Sequence, residues 1–139
     1  MRKVIAAFNM TLDGFCDHTA GIPDEEIHLH YTHLLNNADV ILYGRIAYQL
    51  MEYWRPFVKL KQQSGRDILV GSRSLIVQLL NLNLIDEFQL CIYPVVVGQG
   101  LSLFENIIDR KVFKLLKTKP FSGGSVLLYY QYSPTPTSL

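Results

Sequence analysis

The chain has 139 residues, 49% of them apolar and 18% charged, with a formal net charge of +1. A chain of that length buries enough surface for one self-standing domain. The even charge balance, free of any dense Lys/Arg block, excludes nucleic acid and membrane surfaces as partners, and no apolar run approaches the roughly 20 residues that span a bilayer.

In chain order, MRKVIAAFNM opens with basic residues, but its apolar run is short and passes into TLDGF without a small-residue cleavage site. It therefore reads as a strand and not as a leader. Residues 3–9, KVIAAFN, have too few polar positions to alternate, the pattern of a strand buried on both faces. GIPDEE then reads as a helix start, with Pro23 near the first helical position and Asp24, Glu25 and Glu26 toward the positive end of the dipole. Ile27, Tyr31, Leu34, Leu35 and Ala38 keep helical spacing, and Asn36-Asn37 supply the stop. A second buried strand, DVILY at 39–43, leads through Gly44-Arg45 into a helix. Its apolar stripe is Ala47, Leu50, Met51 and Trp54, and Pro56 ends it.

DILV at 67–70 is the next strand, and Gly71-Ser72 turns into a helix with Leu75, Ile76, Leu79 and Leu80 inward. EFQLCIYPVVV, residues 87–97, partly alternates, as an antiparallel or half-exposed strand would. KVFKLLKTKPF and SVLLYYQY, joined by Ser122-Gly123-Gly124, read as a hairpin. The tail SPTPTSL has no apolar periodicity, so the domain is expected over residues 1–132 with a flexible tail at 133–139. Strands alternating with helices before an antiparallel end predict one α/β domain, a mixed sheet covered on both faces. Cys16 and Cys91 read as reduced thiols of a cytosolic protein rather than as a disulfide.

Two strand-to-helix turns share a design, LYGRIAY at 42–48 and LVGSRSL at 69–75. In each, glycine permits a tight turn after a buried strand, and the following helix aims unpaired N–H groups and a positive dipole end out of the sheet. Both are candidate phosphate sites, with Arg45 adding charge and Ser72 and Ser74 adding hydroxyl donors. They lie at the carboxyl ends of strands, where open α/β sheets hold their ligands. In PVVVGQGLSLF, residues 94–104, Gly98 and Gly100 either bring backbone close to a ligand or form a bulge that redirects the chain toward Phe104. His28, His30 and His33 do not share one helix face, so no metal site is expected. Trp54 reads as core, and Tyr129, Tyr130 and Tyr132 divide between core and surface or line a subunit contact. No nucleophile–base pair has a recognisable spacing.

MTLDGF, ADVILYGRIAYQLMEYW, GRDILVGSRSLIVQLL, LIDEFQLCIYPVVVGQGLSLF and the final hairpin occur in that order. Together they resemble the dihydrofolate-reductase-like fold, and most closely the stand-alone relatives of the reductase domain of riboflavin-biosynthesis deaminase–reductases. The resemblance implies a three-layer α/β/α domain, a homodimer, that binds NADPH across the carboxyl ends of its strands. Carried over by position, Gly44, Arg45 and the backbone of Ile46 and Ala47 lie near the cofactor phosphates. Gly71, Ser72, Arg73, Ser74 and Leu75 form the second phosphate turn. MTLDGF is the mobile loop beside the nicotinamide, with Thr11 and Asp13 facing the cleft and Phe15 anchoring the far side. Pro94 and the Gly98–Gly100 turn close the same end. Asp13 is the one weak catalytic candidate, with loop shaping its favoured role.

The implied chemistry is hydride transfer to a C=N, C=C or C=O group of a small pyrimidine-, pterin- or related heterocyclic substrate. The alternative is a non-catalytic ligand-binding or interaction module that keeps the fold. One departure stands out at YWRPFVKLKQQSGRD, residues 53–67. Family members usually have several dozen more residues here, including a strand and a Ser-rich turn on the adenosine side of the cofactor. Either that part of the site is lost, or two segments of a longer chain meet at Phe57-Val58. The second is favoured, because losing a strand exposes sheet edges.

Overall fold

The computed structural model describes residues 3–16, 25–42, 61–62 and 64–133, with backbone only at 39–42. The expected Gly44–Ala47 turn, the Trp54 helix, the Phe57-Val58 junction, the Pro23 helix start and the tail beyond Ser133 lie outside the described residues.

A six-stranded sheet organises the described chain, in the order β3-β4-β1-β5-β8-β7. β1 (Val4–Thr11) lies between β4 (Asp67–Val70) and β5 (Glu87–Tyr93) and is parallel to both. β3 (Ala38–Leu42) continues the parallel half beside β4. β8 (Val126–Tyr132) runs antiparallel to β5 and to β7 (Phe113–Pro120), so the C-terminal hairpin is as expected. Its turn closes with Phe121 N donating to Ser125 O at 2.8 Å.

Among the described elements one helix covers each face, which makes three layers. α1 (Glu25–Asn37) begins with two acidic residues, and Arg66 Nη1 donates to Asn36 O at 3.1 Å near its end. Its Ile27 joins Cys91, Tyr93, Leu127 and Tyr129, while Tyr31 and Leu34 lean on Ile5, Ala7 and Leu69. α2 (Arg73–Asn81) covers the opposite face, where Leu75, Ile76, Leu79 and Leu80 meet Val4, Ala6, Ile68 and Val70. Thus the odd residues of β1 face α1 and the even ones face α2, the period of two expected of a strand. α2 ends on Asn83, at φ 59°, with Leu84 N donating to Leu79 O at 2.9 Å. Asparagine tolerates that left-handed conformation better than most residues.

Four expectations are corrected. β1 extends beyond Asn9 through Met10 and Thr11, because both pair in register with β5 at Ile92 and Tyr93. Ala38 begins β3 rather than ending α1. β5 is neither half-exposed nor eleven residues long: it stops at Tyr93 and is buried on both faces. Among its polar members, Glu87 pairs with Lys3 at 3.2 Å and accepts from Gln89 Nε2 at 3.3 Å, while Gln89 Oε1 is buried with no hydrogen-bond partner among the described residues. Leu35 is 40% exposed instead of buried in the core. β7 borders the described sheet, and its lysines and the bulge between Leu115 and Lys117 disfavour pairing with another chain's edge.

Candidate active site

The carboxyl end of β1 carries the MTLDGF segment, and the structure turns it into a latch. Thr11 is fully buried, and its hydroxyl donates to Asp13 Oδ1 at 2.6 Å while accepting from Phe15 N at 3.1 Å. Asp13 reaches across the chain: its carboxylate accepts from Gly98 N at 2.8 Å and Val97 N at 3.3 Å. Gly14 and Gly98 take φ of 85° and 79°, conformations that glycine adopts without steric cost. Phe15 and Cys16 form β2, paired antiparallel with β6 (Leu101–Ser102), and Gly100 packs against Phe15, where an added β-carbon would lie 3.6 Å from Phe15 Cβ and 3.7 Å from its ring.

Thr11 is therefore corrected as a residue facing a ligand, since its side chain is enclosed and committed. Asp13 is exposed, but both its oxygens hold the loop. The Thr11 hydroxyl bond, followed by the two backbone N–H bonds, holds its carboxyl below the ordinary carboxylate range. A group with a lowered folded pKa contributes above its unfolded value, near 3.8, and loses that contribution as pH falls through the folded one. The latch is expected to hold throughout neutral pH. Asp13→Ala should speed amide exchange at Val97 and Gly98 by about tenfold. In the wild type that acceleration should appear only below about pH 4, as exchange followed by NMR will show.

Beside the latch lies a cleft of about 490 Å³, within the range of small-molecule sites. Ala7, Asn9 and Leu69 form its sheet wall, and Tyr31 and Leu35 enter from α1. Gly71 and Arg73 at the start of α2, with Cys16 and Leu101 of the small ribbon, close the rest. Gly71 is not among the described glycines with positive φ, so conformation does not demand it. It contributes backbone to the cleft wall.

Ser72 caps α2 by its backbone alone: φ −101° and ψ 126° are extended, and its side chain makes no capping bond. No acidic residue stands in the first turn. Ser72 and Ser74 hydroxyls lie 3.4 Å apart at the helix start, where the first N–H groups have no intrahelical partner. Arg73 Nη1 donates to Ser102 O at 3.0 Å and stands 3.6 Å from Glu105, so it ties α2 to the ribbon. Leu75 is 1% exposed, so only its backbone can meet a ligand.

Other groups fall away. Burial pushes the Cys16 thiol up against the pull of Arg73, which keeps it protonated, and Cys16 and Cys91 form no disulfide with each other. His30 is half-buried against Tyr31, Phe121 and Tyr129, and burial lowers its pKa. Among the described residues no cluster of three or more His, Cys, Asp or Glu could hold a metal, and no helix is long and apolar enough to cross a membrane. A second cavity of about 400 Å³ lies on the α2 face, walled by Phe88, Phe104, Phe113 and other apolar residues with Lys111. It brings no helix start or group of convergent polar atoms together.

Residues 56–127 match the RibD C-terminal domain family. The chain belongs to the RibD C-terminal domain family. A relative that covers nearly all of it is the uncharacterized protein YyaP of Bacillus subtilis (strain 168), 32% identical over 180 aligned positions, with 95% of this chain and 96% of YyaP covered. The alignment is longer than the chain itself, so YyaP carries several dozen residues without a counterpart here. Among solved structures, the fold is shared with a diaminohydroxyphosphoribosylaminopyrimidine deaminase/5-amino-6-(5-phosphoribosylamino)uracil reductase from Thermotoga maritima. That match has a TM-score of 0.62 at 15% identity and covers 95% of this chain and 57% of that one. A dihydrofolate reductase from Enterococcus faecalis, complexed with NADP(H) and RAB-propyl, matches with a TM-score of 0.65 at 10% identity, covering 94% and 96%. The RibD C-terminal domain family is a reductase-type family, and the three-layer fold with its mixed sheet is that of these neighbours.

The structure puts Gly71 and Arg73 in the cleft wall, leaves Ser72 and Ser74 beside them at the start of α2 outside that lining, and ties Gly98 and Gly100 to the latch. Two cleft residues escaped the reading of the sequence. Asn9 lies within a strand and Tyr31 was assigned to the helix core, yet the Tyr31 hydroxyl donates to Asn9 Oδ1 inside the cleft wall. The available signal was a lone carboxamide at the end of the apolar run VIAAF.

Proposed function

We propose that this chain is an NADPH-dependent reductase that transfers a hydride to a small heterocyclic substrate of the pyrimidine, pterin or related type. The observation that carries this reading is the uncapped start of α2, which opens through Gly71 onto the cleft at the carboxyl end of β1. Such a helix start offers N–H donors and positive dipole to a phosphate, and the Ser72 and Ser74 hydroxyls add two more donors. The residues fit the cofactor: no described carboxylate lines the cleft, and Gly71 leaves its wall open.

When bound, NADPH supplies the hydride; the protein supplies position and a dry, shaped wall. Ser72, Ser74 and the backbone N–H groups of the first turn would hold phosphate, with the Gly44–Ala47 turn as the second phosphate site. Arg73 fixes the ribbon that closes the cleft, through Ser102. Asp13, whose carboxylate is committed to Thr11, Val97 and Gly98, shapes the loop and stores no proton at neutral pH. Homodimer assembly and a cytoplasmic location are part of the same proposal.

Titration with NADPH, followed by nicotinamide fluorescence and by thermal melting, tests the reading. Binding to the folded state alone should stabilise it by about 2.7 kcal/mol at one hundred times Kd. A chain with intact circular dichroism that shows neither a fluorescence change nor a raised Tm would overturn the proposal.

A further inference from the structure

Asn9 is the only carboxamide among the described residues that line the cleft, and no carboxylate accompanies it there. Its Oδ1 accepts from the Tyr31 hydroxyl. Burial drives the Tyr31 phenol far above its ordinary range, so it keeps its proton and remains a donor. Tyr93 stands in register with Thr11 one strand away; burial raises its phenol, and the nearby Asn9 side chain opposes that rise.

These contacts settle which way the amide faces. A carboxamide has an acceptor oxygen and an NH₂ with two donors, and either end can face a ligand unless its neighbours choose. Here the oxygen is spent on a donor that does not ionise. The group left for the cleft is the NH₂, a donor. A buried donor rejects a ligand that brings another donor, because both would lose their water without gaining a partner.

We propose that Asn9, locked by Tyr31, is a specificity-determining residue that selects ligands presenting an acceptor, a carbonyl oxygen or unprotonated ring nitrogen on a neutral planar heterocycle, over protonated amidine-like heterocycles. The proposal rests on the reductase reading, for it places the substrate in the same cleft. It goes further in naming the residue that sorts substrates and the polarity by which it does so.

The test uses two probes of one shape, 2-quinolone with its carbonyl acceptor and 2-aminoquinoline, protonated near pH 6, with its amidinium donors. Calorimetry on the full chain with saturating NADP⁺ measures binding of each without turnover. The wild type should prefer 2-quinolone by about tenfold or more. Asn9→Asp should reverse the order, since a carboxylate accepts what the amide donated. Asn9→Leu should level the two, and Tyr31→Phe should shrink the preference to about threefold by freeing the amide to turn. A purely structural role for Asn9 would weaken both probes alike and reverse nothing. The inference is overturned if Asn9→Asp and Asn9→Leu keep the wild-type preference, or if the wild type binds neither probe. NADP⁺ binding in the same titration tests the reductase reading separately: a chain that binds NADP⁺ without an Asn9-dependent preference keeps that reading and loses this one. Should Asn9→Asp fail to fold by circular dichroism, Asn9→Leu and Tyr31→Phe decide.

Discussion

Ile68→Ala should unfold the domain more readily than any surface change, by about 2–5 kcal/mol in urea denaturation at unchanged m. Ile68 is completely buried in β4, with β3 on one side and β1 on the other, and it faces the α2 side chains Leu75, Ile76 and Leu79. Its removal leaves a cavity that neither the parallel strands nor the helix can close without breaking register. Against a typical total of about 5–15 kcal/mol, that loss leaves a large unfolded fraction at modest denaturant. Ile68→Val, which removes one methylene, should cost only about 0.5–1.5 kcal/mol. Leu29, 56% exposed on α1, gives the contrast: Leu29→Ala should change stability by less than about 0.5 kcal/mol. Equal effects at Ile68 and Leu29 would contradict the assignment of the core to the α2 face.

The elements that were legible in sequence are those whose signals are local. DILV is a continuous apolar run between a polar turn and a glycine, and Leu75, Ile76, Leu79 and Leu80 keep helical spacing; both appear within one residue of expectation. The hairpin followed from Ser122-Gly123-Gly124 between two β-rich runs. What failed locally was decided at long range. Glu87 and Gln89 made β5 look half-exposed, but the exposed Lys3, distant in sequence, pairs with the buried Glu87 carboxylate. Asp13 reads as a broken strand end until Gly98, 85 residues on, comes to its carboxylate. β2 and β6 have two residues each, too few for a period, and exist only because the latch brings them together. At the site, the Gly71–Ser74 turn was legible because a glycine after a buried strand has a mechanism. The Asn9–Tyr31 bond was not, because helical spacing says which face Tyr31 occupies but not which atom its hydroxyl meets.

Ser72→Asp should make the protein more stable and a worse cofactor binder at once. In the folded chain Ser72 occupies the N-cap of α2 in extended geometry, yet its hydroxyl caps nothing and no acid stands in the first turn. An aspartate there would accept from the unpaired N–H groups and oppose the dipole, a gain of about 0.5–1 kcal/mol in thermal or urea unfolding. The same carboxylate would occupy the position proposed for a cofactor phosphate. Two like charges about 4 Å apart repel by about 4 kcal/mol at a surface dielectric, less when salt screens them. NADPH affinity should therefore fall by about a hundredfold, and the loss should lessen as ionic strength rises. Ser72→Asn, a neutral cap of similar size, should gain part of the stability and keep most of the affinity. A purely structural role for this turn would move stability alone. If Ser72→Asp is stabilised and still binds NADPH as the wild type does, the phosphate lies elsewhere and α2 is only a covering helix.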